Sequence, residues 1–199
     1  MTVYKLTTPV TEEEIRKLKL NDIVYLTGTI VTARDFAHKK ILEHEEMGKK
    51  IPVNLDGLGV FHCGPIMKKK NGAWTVVAAG PTTSIRMEMF EEEVIRNFRV
   101  RIVIGKGGMG SKTTNAMKRY GAVYGAFTGG TALLAAQAIK KVKSVEWMDL
   151  GMPEAMWILE VEEFGPLIVT IDAHGNNSYK ELNKKIQINK RKIYEKLGL

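Results

Sequence analysis

The chain contains little cysteine and little proline: of its 199 residues, one is cysteine (Cys63) and six are proline. One cysteine excludes an internal disulfide bond, and it excludes a metal cluster held by cysteines of this chain alone. No linker rich in proline or serine and no block of like charge divides the sequence, and 44% of the residues are hydrophobic. This composition predicts one sizeable core and a single domain spanning residues 1–199.

Long hydrophobic runs are also missing. The most apolar long stretch, residues 122–139, is interrupted by Gly125, Gly129 and Gly130. It predicts a strand, a turn and a buried helix rather than a membrane span. The N-terminus has no segment that resembles a cleavable signal, since a charged helix follows at once. With the single cysteine, these features predict a cytoplasmic protein without a membrane partner.

Basic residues outnumber acidic ones, and the formal net charge is +8. Five basic residues crowd the last segment: Lys184, Lys185, Lys190, Arg191 and Lys192. The same segment predicts a helix with a packed apolar stripe, formed by Leu182, Ile186, Ile193 and Leu197. No basic patch with interleaved aromatic residues and no nucleic-acid motif accompanies the charge. We therefore predict no nucleic-acid partner; a positive surface equally suits a small anionic substrate or an acidic protein partner.

Strands and helices alternate in the middle of the chain. Strands predicted at residues 100–104 and 122–127 are separated and flanked by helices, which is typical of a parallel sheet. Before this part, residues 74–79 predict a buried strand, and after it residues 156–162 and 167–172 predict two more strands. The sequence therefore predicts an α/β fold with mixed β-sheets and flanking helices.

Residues 80–87 read Gly-Pro-Thr-Thr-Ser-Ile-Arg-Met. Pro81 ends the preceding strand, and a helix is predicted to begin near Ser84. Free backbone N–H groups at this helix start, the hydroxyls of Thr82 and its two neighbours, and the guanidinium of Arg86 would together suit a carboxylate or phosphate. The alternative is an ordinary capped helix that carries a surface arginine.

The helix that follows has one apolar face, formed by Met87, Phe90, Val94 and Phe98 at spacings of three and four. Its early glutamates are assigned mostly to solvent-facing positions: Glu88, Glu91, Glu92 and Glu93. Packing of the apolar face should hold the preceding loop rigidly.

Residues 105–110, Gly-Lys-Gly-Gly-Met-Gly, follow a predicted strand and formally match the dinucleotide-binding pattern Gly-x-Gly-x-x-Gly. A dinucleotide site also needs an acidic residue about 20 positions later, where residues 127–131 contain no carboxylate. Ser111 precedes Lys112, so the P-loop order fails too. The loop presents Lys106 at the carboxyl end of a strand; a plain tight turn and a stand-alone nucleotide-binding module remain alternatives.

Arg34 lies where a β-rich run gives way to a helix, with Asp35 beside it and His38 one turn later on the same face. Taken alone, this arrangement is also common on protein surfaces. Together with Arg86 and Lys106, however, Arg34 would provide separated cations for the two ends of a dicarboxylate. A threonine hydroxyl such as that of Thr82 needs activation, and the chain offers no triad for it.

The ordered set of motifs at residues 32–38, 62–65, 80–87, 105–110 and 127–131 resembles the β subunit of class I fumarate hydratase over nearly the whole chain. L-tartrate dehydratase β subunits are similar throughout. The resemblance implies a swivelling β/β/α domain and a partner α subunit that binds an oxygen-sensitive [4Fe-4S] cluster through three cysteines. The αβ units are expected to pair into a larger oligomer.

For the site, the resemblance implies that Arg34, Arg86 and Lys106 hold the substrate carboxylates. Thr82, rather than Thr83, would be the base that removes the carbon-bound proton. The expected reaction is the interconversion of S-malate with fumarate and water, and the alternative is the dehydration of L-tartrate to oxaloacetate. The cluster would act as a Lewis acid, which supplies the activation that this chain lacks.

Overall fold

A computed structural model describes residues 1–128, 130 and 132–198. Gly129 and Thr131 of the 127–131 motif, and Leu199 at the end of the predicted domain, lie outside the described residues. The strands are β1 (Val3–Thr7), β2 (Ile23–Thr32), β3 (Gly59–Phe61), β4 (Ile66–Lys70), β5 (Ala73–Ala78), β6 (Ile102–Gly105), β7 (Val123–Ala126), β8 (Ile139–Glu146) and β9 (Met156–Ile171). The helices are α1 (Glu12–Lys17), α2 (Asp35–Glu46), α3 (Glu88–Phe98), α4 (Ser111–Tyr120), α5 (Ala132–Ala138) and α6 (Ser178–Leu197), with 3₁₀ turns at Ser84–Met87 and Met148–Leu150.

The main sheet is mixed and has the strand order β1-β2-β3-β6-β7-β9-β8. Strands β2, β3, β6 and β7 run parallel to one another, and the alternation of strands and helices predicted this for β6 and β7. The long strand β9 pairs antiparallel with β7 and with β2, so that five strands close on themselves. Strands β4 and β5 form a separate hairpin across the turn at Asn71-Gly72.

Two apolar cores lie on opposite faces of the sheet because successive side chains of a strand point to opposite sides. In β6, for example, Ile102 and Ile104 belong to one core and Val103 to the other. The first core lies inside the closed strands and includes the aromatic cluster Phe61, Phe127 and Phe164. The second core packs the sheet against the helices that flank the candidate site, namely α2, α3 and α4.

Several sequence predictions are confirmed, including the α/β class with mixed sheets and the helix after residue 84. The predicted burial is wrong for residues 74–78, where β5 alternates between exposed and half-buried residues because β4 is its one partner among the described strands, and it is confirmed only for Ala79. The two strands predicted at 156–162 and 167–172 form the single strand β9.

The C-terminal helix is confirmed as α6, but its predicted packing is wrong. Leu182, Ile186, Ile193 and Leu197 are 48–65% exposed, and none of its described residues is buried. Its apolar stripe therefore faces outward in this chain. Among the described residues, no helix combines the length and the apolar character that crossing a membrane requires.

Candidate substrate site

The segment from Pro81 to Ser84 lies between the carboxyl ends of β3 and β6. The last direct hydrogen bond between the β3 and β6 ends runs from His62 N–H to Ile104 O. Beyond it, the chain after each strand forms hydrogen bonds with the inserted segment instead. Thr82 N–H donates to His62 O at 2.7 Å, Lys106 N–H donates to Thr82 O at 3.2 Å, and Ser84 N–H donates to Lys106 O at 2.9 Å. Thr82 and Lys106 are thus held side by side by backbone bonds.

Glycine at position 105 makes this close approach possible. A Cβ atom at Gly105 would overlap the Oγ atom of Ser84 and lie 3.1 Å from the hydroxyl of Tyr124. The next two glycines, Gly107 and Gly108, have φ values of +80° and +73°, which side chains rarely adopt. The glycine-rich motif is therefore explained by backbone packing around Ser84 and by the turn after Lys106.

Two of the N–H groups that were predicted to be free in this loop are already hydrogen-bonded. The N–H groups of Thr82 and Ser84 both donate to strand ends, because the segment pairs like a short strand before the 3₁₀ turn begins. Ser84 is also fully buried, so its hydroxyl faces the core and not an anion. The half-buried side chain of Thr82 and the exposed side chain of Arg86 remain accessible to a ligand.

Arg86 links the threonine to helix α2. Its Nη1 donates to Thr82 Oγ1 at 3.4 Å, and its Nε donates to Asp35 Oδ1 at 3.2 Å. A second bond runs from Arg86 Nη2 to Asp35 Oδ2. This bidentate pair fixes the plane of the guanidinium and turns one of its nitrogens toward the hydroxyl.

Arg34 is positioned by two other contacts. Its Nη2 lies 3.2 Å from Glu154 Oε1, and its stem packs so closely on Gly64 that a Cβ there would lie 3.0 Å from Arg34 Cδ. The Nε atom of Arg34 is buried without a hydrogen-bond partner among the described residues. Because Asp35 follows Arg34 directly, Arg34 and Arg86 approach the site from the same end of α2.

The N-terminus of α4, where a dinucleotide phosphate would be expected, is filled by Glu88. Its carboxylate accepts hydrogen bonds from Gly110 N at 2.7 Å, Lys112 N at 3.0 Å and Thr113 N at 3.3 Å, and from the Thr113 hydroxyl at 2.7 Å. A carboxylate satisfies the same free N–H groups and helix dipole as a phosphate would. This occupancy counts against the nucleotide-binding alternative.

A chain of buried polar side chains lies directly behind the site. Tyr124 O–H donates to Ser84 Oγ at 2.9 Å, and Ser84 Oγ lies 2.9 Å from His62 Nδ1. His62 Nε2 lies 2.9 Å from Glu91 Oε2, and His38 Nε2 approaches the same oxygen at 3.2 Å, off the hydrogen-bond direction. We call these five residues the buried network.

The buried network contains one closely paired charge. Burial works against the charged form of Glu91, but the two histidines together hold the pKa of Glu91 below its usual value. Burial also lowers the pKa of His38, yet its contacts with Glu91 outweigh this effect and raise the pKa overall. For His62, burial prevails and the pKa is lowered. At pH 6.5, the ordinary pKa of histidine, these directions correspond to a charged His38, an ionised Glu91 and a neutral His62.

The predicted position of Glu91 on the solvent side is wrong, and the motifs did not predict this network. Glu91 is fully buried, because it lies four residues after Met87 and three before Val94, on the apolar face of α3. That spacing was the signal available in the sequence. The relation between Arg34 and His38 is confirmed more directly, since His38 Nδ1 lies 2.8 Å from Arg34 O.

Cys63 lies beside the site but is buried among apolar residues. Burial raises the pKa of its thiol to about 12, and the nearby charge of Arg34 only partly opposes this. The thiol therefore stays protonated at neutral pH and is a poor ligand for iron or zinc.

The comparisons with known proteins agree with the ordered motifs. Residues 2–182 match the family described as "Fumarase C-terminus". The L(+)-tartrate dehydratase subunit beta of Escherichia coli (strain K12) is 45% identical over 186 residues, which cover 94% of this chain and 90% of the relative. A Methanocaldococcus jannaschii protein named "Putative L(+)-tartrate dehydratase subunit beta" is 48% identical over 190 residues, covering 95% and 96%.

A longer relative shows the same similarity over part of its length. The "Putative fumarate hydratase class I" of Geobacillus stearothermophilus is 45% identical over 183 residues, which make up 92% of this chain and 34% of that protein. The chain therefore belongs to the Fumarase C-terminus family, as a β-subunit type of chain shared by class I fumarate hydratases and L(+)-tartrate dehydratases.

Proposed function

We propose that this chain is the β subunit of a two-subunit iron–sulfur hydro-lyase that interconverts S-malate with fumarate and water. One observation carries the proposal. The backbone bond from Lys106 N–H to Thr82 O and the side-chain bond from Arg86 Nη1 to Thr82 Oγ1 gather a hydroxyl and two cationic residues at one edge of the sheet. Such a group suits a small dicarboxylate that loses a proton.

In this proposal the cations hold the substrate and Thr82 takes the proton. Arg34 and Arg86 are both oriented by protein carboxylates, Glu154 and Asp35, and a guanidinium retains further donors for a substrate carboxylate. Lys106 would bind a substrate carboxylate from the carboxyl end of β6. Removal of the carbon-bound proton by the Thr82 oxygen requires that negative charge on this oxygen be stabilised, and the adjacent Arg86 guanidinium favours that form.

The structure supports Thr82 over its neighbour Thr83. Thr82 Oγ1 accepts from Arg86, whereas the Thr83 side chain points toward the glycine turn, with its Cγ2 atom 3.5 Å from the position of a Cβ at Gly107. A base must reach the substrate held by the cations. Thr82 therefore has the neighbour that the chemistry needs.

A partner α subunit would hold the [4Fe-4S] cluster in this proposal. Cys63 does not fit as a ligand because its thiol is buried and protonated at neutral pH. Exposed apolar side chains beside the cations support a covering partner: Phe36 is 58% exposed, Ile85 49% and Met89 70%. We expect the αβ unit to work in the cytoplasm, with a dicarboxylate bound between the subunits.

L-tartrate is the second candidate substrate, with oxaloacetate as its product. It is favoured by the names of the relatives from Escherichia coli and Methanocaldococcus jannaschii, of which the chain covers 90% and 96%. Both candidates are four-carbon dicarboxylates with a hydroxyl group on a carbon next to a carboxylate. The same cations and the same base would serve either.

The decisive experiment is an anaerobic assay of the chain alone and with its iron–sulfur-reconstituted partner, with S-malate, L-tartrate and D-tartrate offered separately. Turnover of malate only in the mixture is the expected result. Turnover of L-tartrate instead would keep the reaction type and change the substrate. An intact complex that converts neither would contradict the proposed function, and thermal stabilisation by a nucleotide would then favour a binding module.

Substitution separates the two threonines. In the complex, Thr82→Ala should reduce kcat at least about a hundredfold while assembly persists, because a proton-transfer group is lost. Thr83→Ala is the matched control and should retain near-normal kcat. If Thr82→Ala keeps wild-type turnover, Thr82 is not the base.

A further inference from the structure

We propose that Glu91, acting through His62 and Ser84, is a positioning residue that fixes the Thr82 segment against the end of β6. The inference rests on the proposed role of Thr82, but the contacts that carry it lie in the buried network. Glu91, His62 and Ser84 are each completely buried and touch neither solvent nor the candidate substrate. Their effect on the site is therefore mechanical, through the backbone that they hold.

The hydrogen bonds of the network have one consistent direction. An ionised Glu91 only accepts, so His62 Nε2 carries the proton on that side. A neutral His62 then has a lone pair on Nδ1, which accepts from the Ser84 hydroxyl at 2.9 Å. Ser84 Oγ in turn accepts from Tyr124 O–H. Burial raises the pKa of the Tyr124 hydroxyl, so this hydroxyl remains a donor.

His38 keeps the far end of the network in place. Its Nδ1 faces the carbonyl oxygen of Arg34 at 2.8 Å and must carry a proton there. A lone pair on Nε2 would face the Glu91 carboxylate at 3.2 Å, so a second proton on Nε2 is favoured. The resulting imidazolium compensates the buried charge of Glu91 and keeps it ionised.

The network reaches the site through both the side chain and the backbone of the same residues. His62 contacts Ser84 with its ring and accepts from Thr82 N–H with its carbonyl oxygen. Ser84 donates its N–H to Lys106 O, and its hydroxyl occupies the space that a Cβ at Gly105 would need. The position of Thr82 is therefore fixed by His62 and Ser84, and Glu91 orients both of these residues.

A bound metal ion is the rival explanation of this cluster. Ligand atoms of His38, His62 and Glu91 lie within 4.8 Å of one another. The 2.9 Å separation between His62 Nε2 and Glu91 Oε2, however, fits a direct hydrogen bond, and in that arrangement Nε2 carries a proton and cannot bind the ion. Stoichiometric zinc, iron or manganese in the purified chain, absent from Glu91→Gln, would overturn the proposal.

The test uses two variants that break the network at different points, Glu91→Gln and Ser84→Ala, in the full chain and in its complex with the partner. Ser84→Ala removes the hydroxyl between His62 and Tyr124 and leaves the pair of His38 and Glu91 intact. This second variant keeps the test informative if Glu91→Gln does not fold. The control is Thr8→Val, which removes another buried hydroxyl, bonded to Thr29 O at 2.9 Å and separated from the Thr82 segment by strands β2 and β3.

Amide hydrogen exchange at Thr82 and kinetics of the complex are the readouts. Both network variants should speed exchange of Thr82 N–H by about tenfold or more, because its acceptor His62 is no longer fixed. They should lower kcat by about tenfold to a hundredfold with little change in KM, since Arg34 and Arg86 keep their own carboxylate partners. Thr8→Val should lower the melting temperature by about 2–4 °C and alter neither readout.

The outcomes separate this inference from the proposed function. Unchanged Thr82 exchange in both folded variants would overturn the positioning role, whatever the enzyme's substrate. Faster exchange with unchanged kcat would also overturn it, because the Thr82 geometry would not matter for turnover. If the wild-type complex converts no substrate at all, the proposed function fails, and the exchange data alone decide whether Glu91 holds the segment.

Discussion

The carboxylate of Asp35 accepts hydrogen bonds from Nε and Nη2 of Arg86, and the third nitrogen, Nη1, donates to the hydroxyl of Thr82. Asp35 of α2 thus orients the guanidinium of Arg86, in the 3₁₀ turn, toward Thr82, the proposed base. Asp35 directly follows Arg34 at the start of α2 and contacts Arg86 through its carboxylate. It therefore connects Arg34 and Arg86, two of the three predicted substrate cations. The geometry makes Asp35 a part of the site that the motif comparison alone did not single out.

Removing the carboxylate of Asp35 should therefore impair turnover. We expect Asp35→Asn to reduce kcat/KM of the complex by about tenfold or more, since Arg86 loses its fixed plane. Asp149→Asn is the control, because Asp149 forms a comparable ion pair with Lys40, at 2.7 Å, on the surface. Steady-state kinetics decide; wild-type kinetics in Asp35→Asn would show that Arg86 needs no such support.

Adding a methyl group at Gly105 should disturb the same region by steric overlap. Gly105→Ala would drive a Cβ into Ser84 Oγ, and we expect a loss of about 1–3 kcal/mol in the free energy of unfolding. Gly130→Ala serves as the control because a Cβ there meets nothing within 4 Å. Denaturant unfolding measures both. Equal free energies of unfolding for Gly105→Ala and Gly130→Ala would mean that the loop at Ser84 can shift to accommodate the added methyl group at little cost.

The parts of the fold that could be predicted from the sequence were those set by local patterns. The strand–helix alternation predicted the parallel pairing of β6 and β7, and the apolar spacing from Met87 to Phe98 predicted the helix that the structure forms there. Closure of the sheet by β9 could not be predicted, because it depends on pairing between Ile30 and Leu159, residues far apart in the chain. The exposure of α6 also depends on what lies beside it, which its own periodicity does not contain.

The candidate site shows the same division. The motifs located Thr82, Arg86 and Lys106, and the structure brings them together, while their roles stay predictions. The buried network could not be predicted from the sequence, because its members come from α2, β7, α3 and the segments after β3 and β5. Only the tertiary fold brings them into contact. Glu91 could have been noticed from its helical spacing, but a lone glutamate on an apolar face does not identify its partners.

Cys63 should resist alkylation in the folded protein. With its pKa raised to about 12 by burial, the thiolate fraction at pH 8 is on the order of 1 in 10,000, and the sulfur is inaccessible. We expect iodoacetamide to modify Cys63 only after denaturation, as detected by mass spectrometry. Rapid modification of the native chain would show that the thiol is exposed to solvent.

Glu88 should stabilise α4 as a cap supplied by another helix. We expect Glu88→Ala to lower the free energy of unfolding by about 1–2 kcal/mol, because the N–H groups of Gly110, Lys112 and Thr113 lose their acceptor. The exposed Glu93 of the same helix provides the control variant Glu93→Ala. Chemical denaturation checks the difference, and equal stability of the two variants would contradict the capping role.

The two histidines beside Glu91 should titrate in opposite directions. The pKa of His38 is raised by its contacts with Glu91 and that of His62 is lowered by burial, so at pH 6.5 His38 should be charged and His62 neutral. His38 then contributes stability below about pH 6.5 that is lost as the pH rises through its folded pKa.

His62 contributes stability above about pH 6.5 that is lost as the pH falls through its folded pKa, so the joint contribution is largest near that pH. Ring ¹⁵N chemical shifts, recorded against free histidine in the same buffer, distinguish the two forms. A neutral His38 at pH 6.5 would contradict the charge assignment, because two neutral imidazoles would leave the buried carboxylate of Glu91 without a compensating cation.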